Sequence, residues 1–280
     1  MSIIGFKTTL HSTLIAFLLS IVFQSTALQA HSDNKELLNQ IINGDHRDPN
    51  NKARDAARHP LETLMFFGVT PEMTVVEISP GGSGWYMELL APYLRDHGKY
   101  YAASYDQSSK TDYVVRNLVA FNKKIKARPD VYDRINVTEF SPPTKVAIAP
   151  AGSADMVLTF RNVHNWVGSG SADAAFTAFY TTLKPGGILG VVEHRASNDQ
   201  PQDPKAQSGY VREDYVIALA EKAGFKLIGR SEINANPKDT KDYKKGVWSL
   251  PPSLRAGDGN EQKYRDIGES DRMTLVFMKP

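Results

Sequence analysis

Short segments rich in β-branched residues alternate with stretches of helical periodicity along most of this chain. Strands are predicted at 73–78, 99–105, 135–140, 155–160, 188–193, 225–232 and 273–278. Helices are predicted at 85–94, 113–126, 172–183 and 210–223, so helical crossovers join most of the consecutive strands. This order is typical of right-handed βαβ units on a largely parallel sheet with helices on both faces.

The length of the chain and its polar segments indicate one domain with additions. We expect the 280 residues to form a single domain over 31–280, with a helical N-terminal cover over 31–70. A polar segment over 233–270, rich in Gly, Pro, Lys and Asp, is long enough to act as a flap. The charged residues of the cover are Arg47, Asp48, Arg54, Asp55, Arg58 and His59. An ordinary solvated surface is the alternative for both segments.

The N-terminus has the pattern of an export signal. Lys7 precedes the apolar run 14–23, whose length fits a signal peptide and is short for a membrane span. Small residues follow, and cleavage is expected near Ala30. The pattern predicts an exported, periplasmic protein, with an uncleaved anchor as the alternative. No later segment is apolar enough for us to expect a membrane span in the mature chain.

The charge balance and the lack of cysteine exclude several kinds of function. The 33 Lys+Arg and 31 Asp+Glu nearly cancel, which argues against a dedicated nucleic-acid binder. Without cysteine the chain has no disulfide, no thiolate nucleophile and no Cys-ligated metal. Export does not require disulfides, so this composition is compatible with the predicted signal.

A glycine-rich turn follows the first predicted strand, in the sequence VVEISPGGSGW at 75–85. Glycine lets the chain turn tightly and lets a ligand approach the backbone, and the carboxyl ends of parallel strands form a crevice. Glu77 lies at the strand end, where its carboxylate could bind an ammonium group or orient the loop. Such a turn can also be merely structural. It lacks the G-x-G-x-x-G spacing, which argues against a nicotinamide-dependent oxidoreductase.

Three motifs, taken in order, resemble those of class I S-adenosylmethionine-dependent methyltransferases. They are Glu-x-x-x-Gly at 77–81, DMVLTF at 155–160 and LKPGG at 183–187. More narrowly, ARHPLETLMFFGVTPEMTVVEISPGG, FRNVHNW, VVEHR and IGESDRMTL resemble a family of predicted exported methyltransferases of unassigned substrate. The resemblance implies a Rossmann-like, seven-stranded, mostly parallel sheet whose last strand is antiparallel. It also implies S-adenosylmethionine as cofactor and O- or N-methylation of a small-molecule acceptor.

The resemblance also implies where the cofactor lies. An acid at the end of the second strand usually binds the ribose hydroxyls, but Ser104 stands there and Asp106 follows two residues later. The adenine would lie beside residues at the end of the third strand, although these could equally be an ordinary strand end and a core aromatic. The expected cofactor-binding residues are Glu77, Ser79, Gly81, Gly82, Gly84, Asp106, Glu139, Phe140 and Arg161.

Polar residues follow the fourth and fifth strands, at the ends that this fold directs toward the methyl donor. His164, Asn162 and His194 are the expected catalytic residues, with His164 as a general base. A metal bound by His164, Glu193 and His194 is an alternative, although no metal is expected. These side chains could also only hydrogen-bond the loops to one another.

Two arginines in the same region have two interpretations. Arg161 and Arg195 could bind an anionic acceptor, or they could pair with acids such as Asp55 or Glu193. The sequence does not separate these interpretations.

Two functions are compatible with the sequence. The first is an S-adenosylmethionine-dependent methyltransferase. The alternative is an exported protein on the same fold that is non-catalytic or binds a different ligand, because a fold does not determine a function. Export away from the cytosol, where the methyl donor is made, favours this alternative, as does Ser104 at the usual position of the ribose-binding acid.

Overall fold

The computed structural model of the protein describes Gln29 and residues 31–280. The apolar run of the predicted export signal and its cleavage position at Ala30 lie outside the described residues. Within the described part, no helix is both long and apolar enough to cross a membrane.

Seven strands form one sheet in the described chain. They are β1 Thr74–Ile78, β2 Lys99–Ser104, β3 Ile135–Glu139, β4 Ala154–Phe160, β5 Leu183–His194, β6 Lys226–Ser231 and β7 Arg272–Met278. Their order across the sheet is β3-β2-β1-β4-β5-β7-β6. The first five strands pair in parallel, whereas β7 runs antiparallel to both β5 and β6. The predicted sheet with an antiparallel last strand is confirmed.

The helices lie on both faces of this sheet, as predicted. A first helix, α1, spans residues 31–43. The others are α2 Pro49–Lys52, α3 Asp55–Arg58, α4 Pro60–Phe67, α5 Met87–Leu94, α6 Asp112–Ala127, α7 Pro129–Tyr132, α8 Val163–Ser169, α9 Ala172–Thr182, α10 Glu213–Lys222 and α11 Glu261–Ile267. Pro60 occupies the first turn of α4, where the missing N–H of proline would have no partner in any case.

Two apolar cores cover the two faces of the sheet. Alternation along β1 directs Val76 and Ile78 to one core and Val75 to the other. Helices α8, α9 and α10 contribute to the first core, in which Phe176 is fully buried. Helices α1, α4, α5 and α6 contribute to the second core. Because Glu77 shares its face with Val75, its side chain lies under α4, α5 and α6.

The strand order places a crevice at the carboxyl ends of β1 and β4. Strands β2 and β3 lie on one side of β1 within the sheet, and the chain then returns to form β4 on the other side of β1. Ligands bind at such a switch point because the loops that follow the two strands diverge and leave the strand ends open. The predicted site residues at 79–84 and 161–164 follow these two strand ends.

The structure corrects several predicted boundaries. LKPGG at 183–187 was predicted as a turn before the fifth strand, but it lies within β5, where the pairing with β4 shifts register between Ala154 and Met156. Helix α8, over Val163–Ser169, was not predicted, because seven residues are too few for a periodic pattern to be recognised. The segment 233–270 contains a short 3₁₀ helix at Gly246–Ser249 and the helix α11.

Candidate active site

The turn after β1 leaves one of its glycines open. Ser79 and Gly81 have positive φ values of 50° and 69°. A Cβ at Gly81 would lie no closer than 3.8 Å to another residue, at Oδ1 of Asn117. A Cβ at Gly82 would lie only 3.0 Å from that of Ala120 on α6, and the N–H of Gly82 donates to Asn117 at 2.8 Å. Gly82 therefore packs against the protein, whereas the backbone at Gly81 is accessible to a ligand.

Gly84 also packs against the protein rather than facing the crevice. A Cβ at this position would lie 2.7 Å from Cε of Met87. Its positive φ of 54° helps the chain to turn into α5.

Glu77 is a buried carboxyl group with one hydrogen-bond donor. Its side chain lies in β1, and Oε2 accepts a hydrogen bond from the hydroxyl of Tyr100 at 2.5 Å. Burial raises the pKa of Glu77 to about 8, although the Tyr100 hydrogen bond and the charge of Arg161 act in the opposite direction. Without a ligand, the group is therefore mostly protonated at neutral pH. A cation in the crevice would favour its ionised form.

The predicted ribose and adenine residues divide into two groups. Lys145 Nζ contacts Asp106 Oδ1 at 2.7 Å and Glu139 Oε2 at 2.5 Å, so these two acids are already paired. Ser104 is buried at the end of β2. Phe140 packs in the core, where its ring centroid lies 5.6 Å from that of Trp166 and also 5.6 Å from that of Phe179. The placement of Phe140 favours a role in packing.

His164, in the first turn of α8, and Glu193, near the end of β5, form a buried hydrogen-bonded pair. Nδ1 of His164 lies 3.0 Å from Oε1 of Glu193, which is fully buried. The backbone N–H groups of His194 and His164 also donate to this carboxylate, at 2.8 and 3.3 Å. These bonds fix the orientation of the His164 imidazole. With the Nδ1 proton donated to Glu193, Nε2 is left as the basic nitrogen.

His194 lies beside His164, and the two ring centroids are 5.4 Å apart. Nδ1 of His194 lies 2.5 Å from the hydroxyl oxygen of Ser270. Burial lowers the pKa of His194 well below its usual value, and the neighbouring His164 and the guanidinium groups of Arg161, Arg272 and Arg58 lower it further. His194 is therefore neutral at physiological pH.

The three side chains could also accommodate a metal ion. His164, Glu193 and His194 offer ligand atoms that all lie within 4.8 Å of one another. However, both oxygens of Glu193 already accept hydrogen bonds, and Nδ1 of each histidine has a partner. A metal bound through these atoms would displace the hydrogen bonds.

Asn162 connects the two strands that border the crevice. Its Nδ2 donates to the carbonyl oxygen of Ile78 at 3.0 Å and contacts Oγ1 of Thr159 at 3.3 Å. These contacts hold the loop after β4 against the end of β1. Asn162 therefore orients the two loops relative to each other.

A cluster of arginines surrounds one carboxylate beside these residues. Glu269 contacts Nε of Arg54 at 2.7 Å, Nε of Arg58 at 3.2 Å and Nη1 of Arg272 at 3.0 Å. Burial alone would raise the pKa of Glu269, but the nearby guanidinium groups outweigh burial and hold it well below its usual range. Arg58 is only 2% exposed, and its guanidinium carbon lies 4.8 Å from the ring centroid of Trp85. Glu269 is therefore ionised and holds three guanidinium groups together.

Arg195 is paired with acids in the structure, whereas Arg161 is not. Arg195 pairs with Asp271 and Glu232, at 2.9 and 2.7 Å, and not with Glu193. Arg161 has a positive φ of 61°, which is uncommon for a residue other than glycine. Its side chain makes no ion pair or hydrogen bond within the described residues, and Asp55 pairs with Arg47 instead. Arg161 therefore remains open to a ligand.

The sequence did not indicate Glu269, Arg272, Tyr100 or Lys145 as site residues. Arg54 and Arg58 were identified only as part of a possible cover. The one sequence pattern that could have indicated the arginine cluster is the proximity of arginines to acids in ARDAAR at 53–58 and ESDR at 269–272. Such a pattern is more typical of a solvated surface.

No family model matches this sequence, and no curated protein matches it. Solved structures do match. A SAM-dependent methyltransferase from Aquifex aeolicus has a TM-score of 0.55 at 15% identity, covering 83% of this chain and 94% of the other. Geranyl diphosphate C-methyltransferase from Streptomyces coelicolor A3(2), in complex with Mg²⁺, geranyl diphosphate and S-adenosyl-L-homocysteine, has a TM-score of 0.53 at 12% identity, covering 81% and 80%.

A third solved structure, the [4+2]-cyclase SpnF, has a TM-score of 0.51 at 16% identity, covering 80% of this chain and 81% of the other. At these identities the likeness shows the fold alone. This chain has the Rossmann-like methyltransferase fold.

Proposed function

We propose that this protein is an S-adenosylmethionine-dependent methyltransferase that acts on a small-molecule acceptor by O- or N-methylation. The observation that supports the proposal best is the open backbone at Gly81, beside the buried Glu77 and across the crevice from the His164–Glu193 pair. A cradle for the cofactor and a candidate proton acceptor thus occupy neighbouring strand ends of a methyltransferase fold.

The crevice offers groups that fit the amino end and the ribose of the cofactor. Glu77 suits an ammonium group, and Asp106 suits the ribose hydroxyls if Lys145 releases it. When bound, the cofactor supplies an activated methyl group.

His164 is the residue that we propose to accept the proton of the acceptor. The carboxylate of Glu193 fixes the ring and stabilises the imidazolium that would form. Trp248, whose ring centroid lies 6.0 Å from that of His164, limits the access of water. Asn162 and His194 position the surrounding loops in this scheme.

The proposed role of His164 requires one tautomer. A long-range ¹H–¹⁵N spectrum is expected to show the neutral His164 ring protonated on Nδ1, because Glu193 accepts that proton. In a Glu193→Gln variant this preference should be lost. A wild-type ring protonated on Nε2 would leave no lone pair there, and the role as a proton acceptor would have to be abandoned.

Two glycines provide a matched test of the cofactor cradle. Gly81 and Gly186 both have positive φ, at 69° and 78°, and both have open space where a side chain would begin. Asparagine tolerates this backbone conformation, so both substitutions should cost little stability. Gly81→Asn is expected to abolish the rise in melting temperature that S-adenosylhomocysteine produces. Gly186→Asn should retain this rise, because Gly186 lies near the amino end of β5, away from the crevice. Equal behaviour of the two variants would contradict the proposed cradle.

A specific observation supports a second candidate, a protein that binds a different ligand on this fold. Asp106 and Glu139 are both paired with Lys145, and Ser104 is buried, so no free acid faces the expected ribose position. A [4+2]-cyclase has the same fold. Failure to bind either S-adenosylmethionine or S-adenosylhomocysteine would favour this candidate.

We also propose that residues 31–70 cover the crevice and that residues 233–270 act as a flap. Arg54 and Arg58 of the cover contact Glu269 near the end of the flap, and Trp248 of the flap approaches His164. We further propose that the chain is exported, on the basis of its N-terminal sequence pattern.

A further inference from the structure

The arginine cluster has more positive charge than its acid can balance. The guanidinium groups of Arg54, Arg58, Arg161 and Arg272 all act on Glu269, the one ionised carboxylate among them. This leaves an excess of three positive charges. Glu77, which also interacts with Arg161, does not remove the excess, because its pKa of about 8 keeps it mostly neutral.

Several guanidinium nitrogens in this cluster are buried without a partner. Within residues 31–280, no hydrogen-bond acceptor contacts Nη1 and Nη2 of Arg58, Nη2 of Arg54 or Nε of Arg272. Loss of a proton does not remove the free-energy cost of burying these groups, because the guanidinium of arginine remains charged in proteins. Burial and the neighbouring Arg161 lower the pKa of Arg58 well below its usual value, as expected for an uncompensated charge. Buried charges are stable only when they are paired.

The cluster lies next to the proposed active site. Arg272 pairs in register with His194 between β5 and β7, and the N–H of Arg161 donates to the carbonyl of Val192 on β5 at 2.7 Å. The charges of Arg161, Arg272 and Arg58 all act on His194. An anion held here would therefore lie next to the pair of histidines.

A neighbouring cavity shows that unpaired arginines are not general in this region. This cavity, of about 1020 Å³, is lined by Arg195, Arg212, Arg230 and Lys241. Each of these four basic residues forms an ion pair with an acid that also lines the cavity. The excess of positive charge is thus specific to the cluster around Glu269.

The methyl donor cannot supply the missing negative charge. S-adenosylmethionine has one carboxylate, one ammonium and one sulfonium group, so its net charge is positive. Its single carboxylate would satisfy one guanidinium group at most, and the donor as a whole would increase the positive charge of the crevice. The remaining charge calls for a second, anionic ligand.

We propose that the methyl acceptor is an anion, and that Arg58, Arg161 and Arg272 bind its phosphate group or its paired carboxylates. This inference rests on the proposed methyltransferase function. Guanidinium groups bind both kinds of anion through paired N–H donors. The buried, partnerless nitrogens of Arg58 and the open side chain of Arg161 are the donors that such a group would use.

Calorimetric titration of inorganic phosphate into the protein, with and without saturating S-adenosylhomocysteine, tests the inference. Sodium chloride holds the ionic strength constant. We expect one phosphate per chain with a dissociation constant below about 1 mM, both with and without S-adenosylhomocysteine. Malonate, titrated in the same way, shows whether a dicarboxylate binds more tightly than phosphate.

Three variants locate the anion. Arg58→Met and Arg161→Met should each weaken phosphate binding at least about tenfold, since each removes charged donors. Arg161 makes no ion pair within the described residues, so its variant should keep the fold even if Arg58→Met does not. Arg134→Met, at the amino edge of the sheet and 55% exposed, should bind as the wild type does.

The outcomes separate the inference from the proposed function. Displacement of phosphate by S-adenosylhomocysteine would overturn the inference, because the cluster would then hold the carboxylate of the cofactor. Absence of phosphate and malonate binding in a protein that binds S-adenosylhomocysteine would also overturn it. Phosphate binding without S-adenosylhomocysteine binding would support the anion site and contradict the methyltransferase function.

Discussion

Replacing Glu269 with glutamine is expected to lower the free energy of unfolding by about 3–5 kcal/mol, the cost of removing one partner from a buried ion pair. The effect is large because this single carboxylate contacts Arg54, Arg58 and Arg272, and Glu269 and two of these arginines are nearly inaccessible to solvent. Its contribution to stability is present above the unfolded pKa of Glu269 and is lost as the pH falls through the depressed folded pKa.

Urea unfolding at neutral pH measures this difference. Glu261→Gln is the control, because this glutamate is exposed on α11 and forms only a surface pair with Arg265. Phosphate should restore part of the stability of Glu269→Gln, since an anion can replace the missing carboxylate. A loss no larger than that of Glu261→Gln would show that solvent, and not Glu269, compensates the arginine cluster.

Replacing Glu77 with glutamine is expected to make the protein more stable at high pH. Burial raises the pKa of Glu77 to about 8, so the folded protein keeps a proton that the unfolded chain has lost. Stability should therefore fall by about 1.4 kcal/mol per pH unit between the unfolded pKa and the folded one, and no further above it. Glutamine can still accept the Tyr100 hydrogen bond and has no charge to bury.

Unfolding of the wild type and of Glu77→Gln at several pH values from about 5 to 8 measures this effect. We expect the free energy of unfolding of the variant, relative to that of the wild type, to increase by about 4 kcal/mol over this range. The reason is that the unfolded wild type releases one proton that the folded wild type keeps. Glu221→Gln, on the exposed side of α10, should not change the slope. A constant difference in the free energy of unfolding between Glu77→Gln and the wild type would mean that Glu77 is ionised in the folded protein throughout this pH range.

The protonation of Glu77 also bears on cofactor binding. A ligand that brings an ammonium group to Glu77 favours the carboxylate, so its binding below about pH 8 should release a proton. The affinity for S-adenosylmethionine should then increase as the pH rises toward this value.

The sequence predicts the sheet well because local patterns determine its strands. The β-branched run before the glycine-rich turn predicts a strand at 73–78, and β1 spans Thr74–Ile78. The fifth strand was predicted too short, because Pro185 and the two glycines after it read as a turn, whereas β5 contains them as an irregular stretch opposite β4. Helix α8 has only seven residues, too few for a periodic pattern to be recognised.

The site was predictable only where residues follow neighbouring parallel strands. The sequence placed His164 and Glu193 at adjacent strand ends, and the structure joins them by a hydrogen bond. The contact of Arg58 with Glu269 joins residues 211 positions apart through a helix and a loop. No local pattern specifies that contact, and charged segments such as these usually lie in solvent.

Calorimetric titration of the purified protein with S-adenosylhomocysteine determines whether the crevice binds a methyl donor. We predict one site per chain with a dissociation constant in the range of about 1 μM, weakened strongly by Gly81→Asn and not by Gly186→Asn. An absence of binding at about 1 mM S-adenosylhomocysteine, by a protein that remains folded, would contradict a methyl-donor site in this crevice.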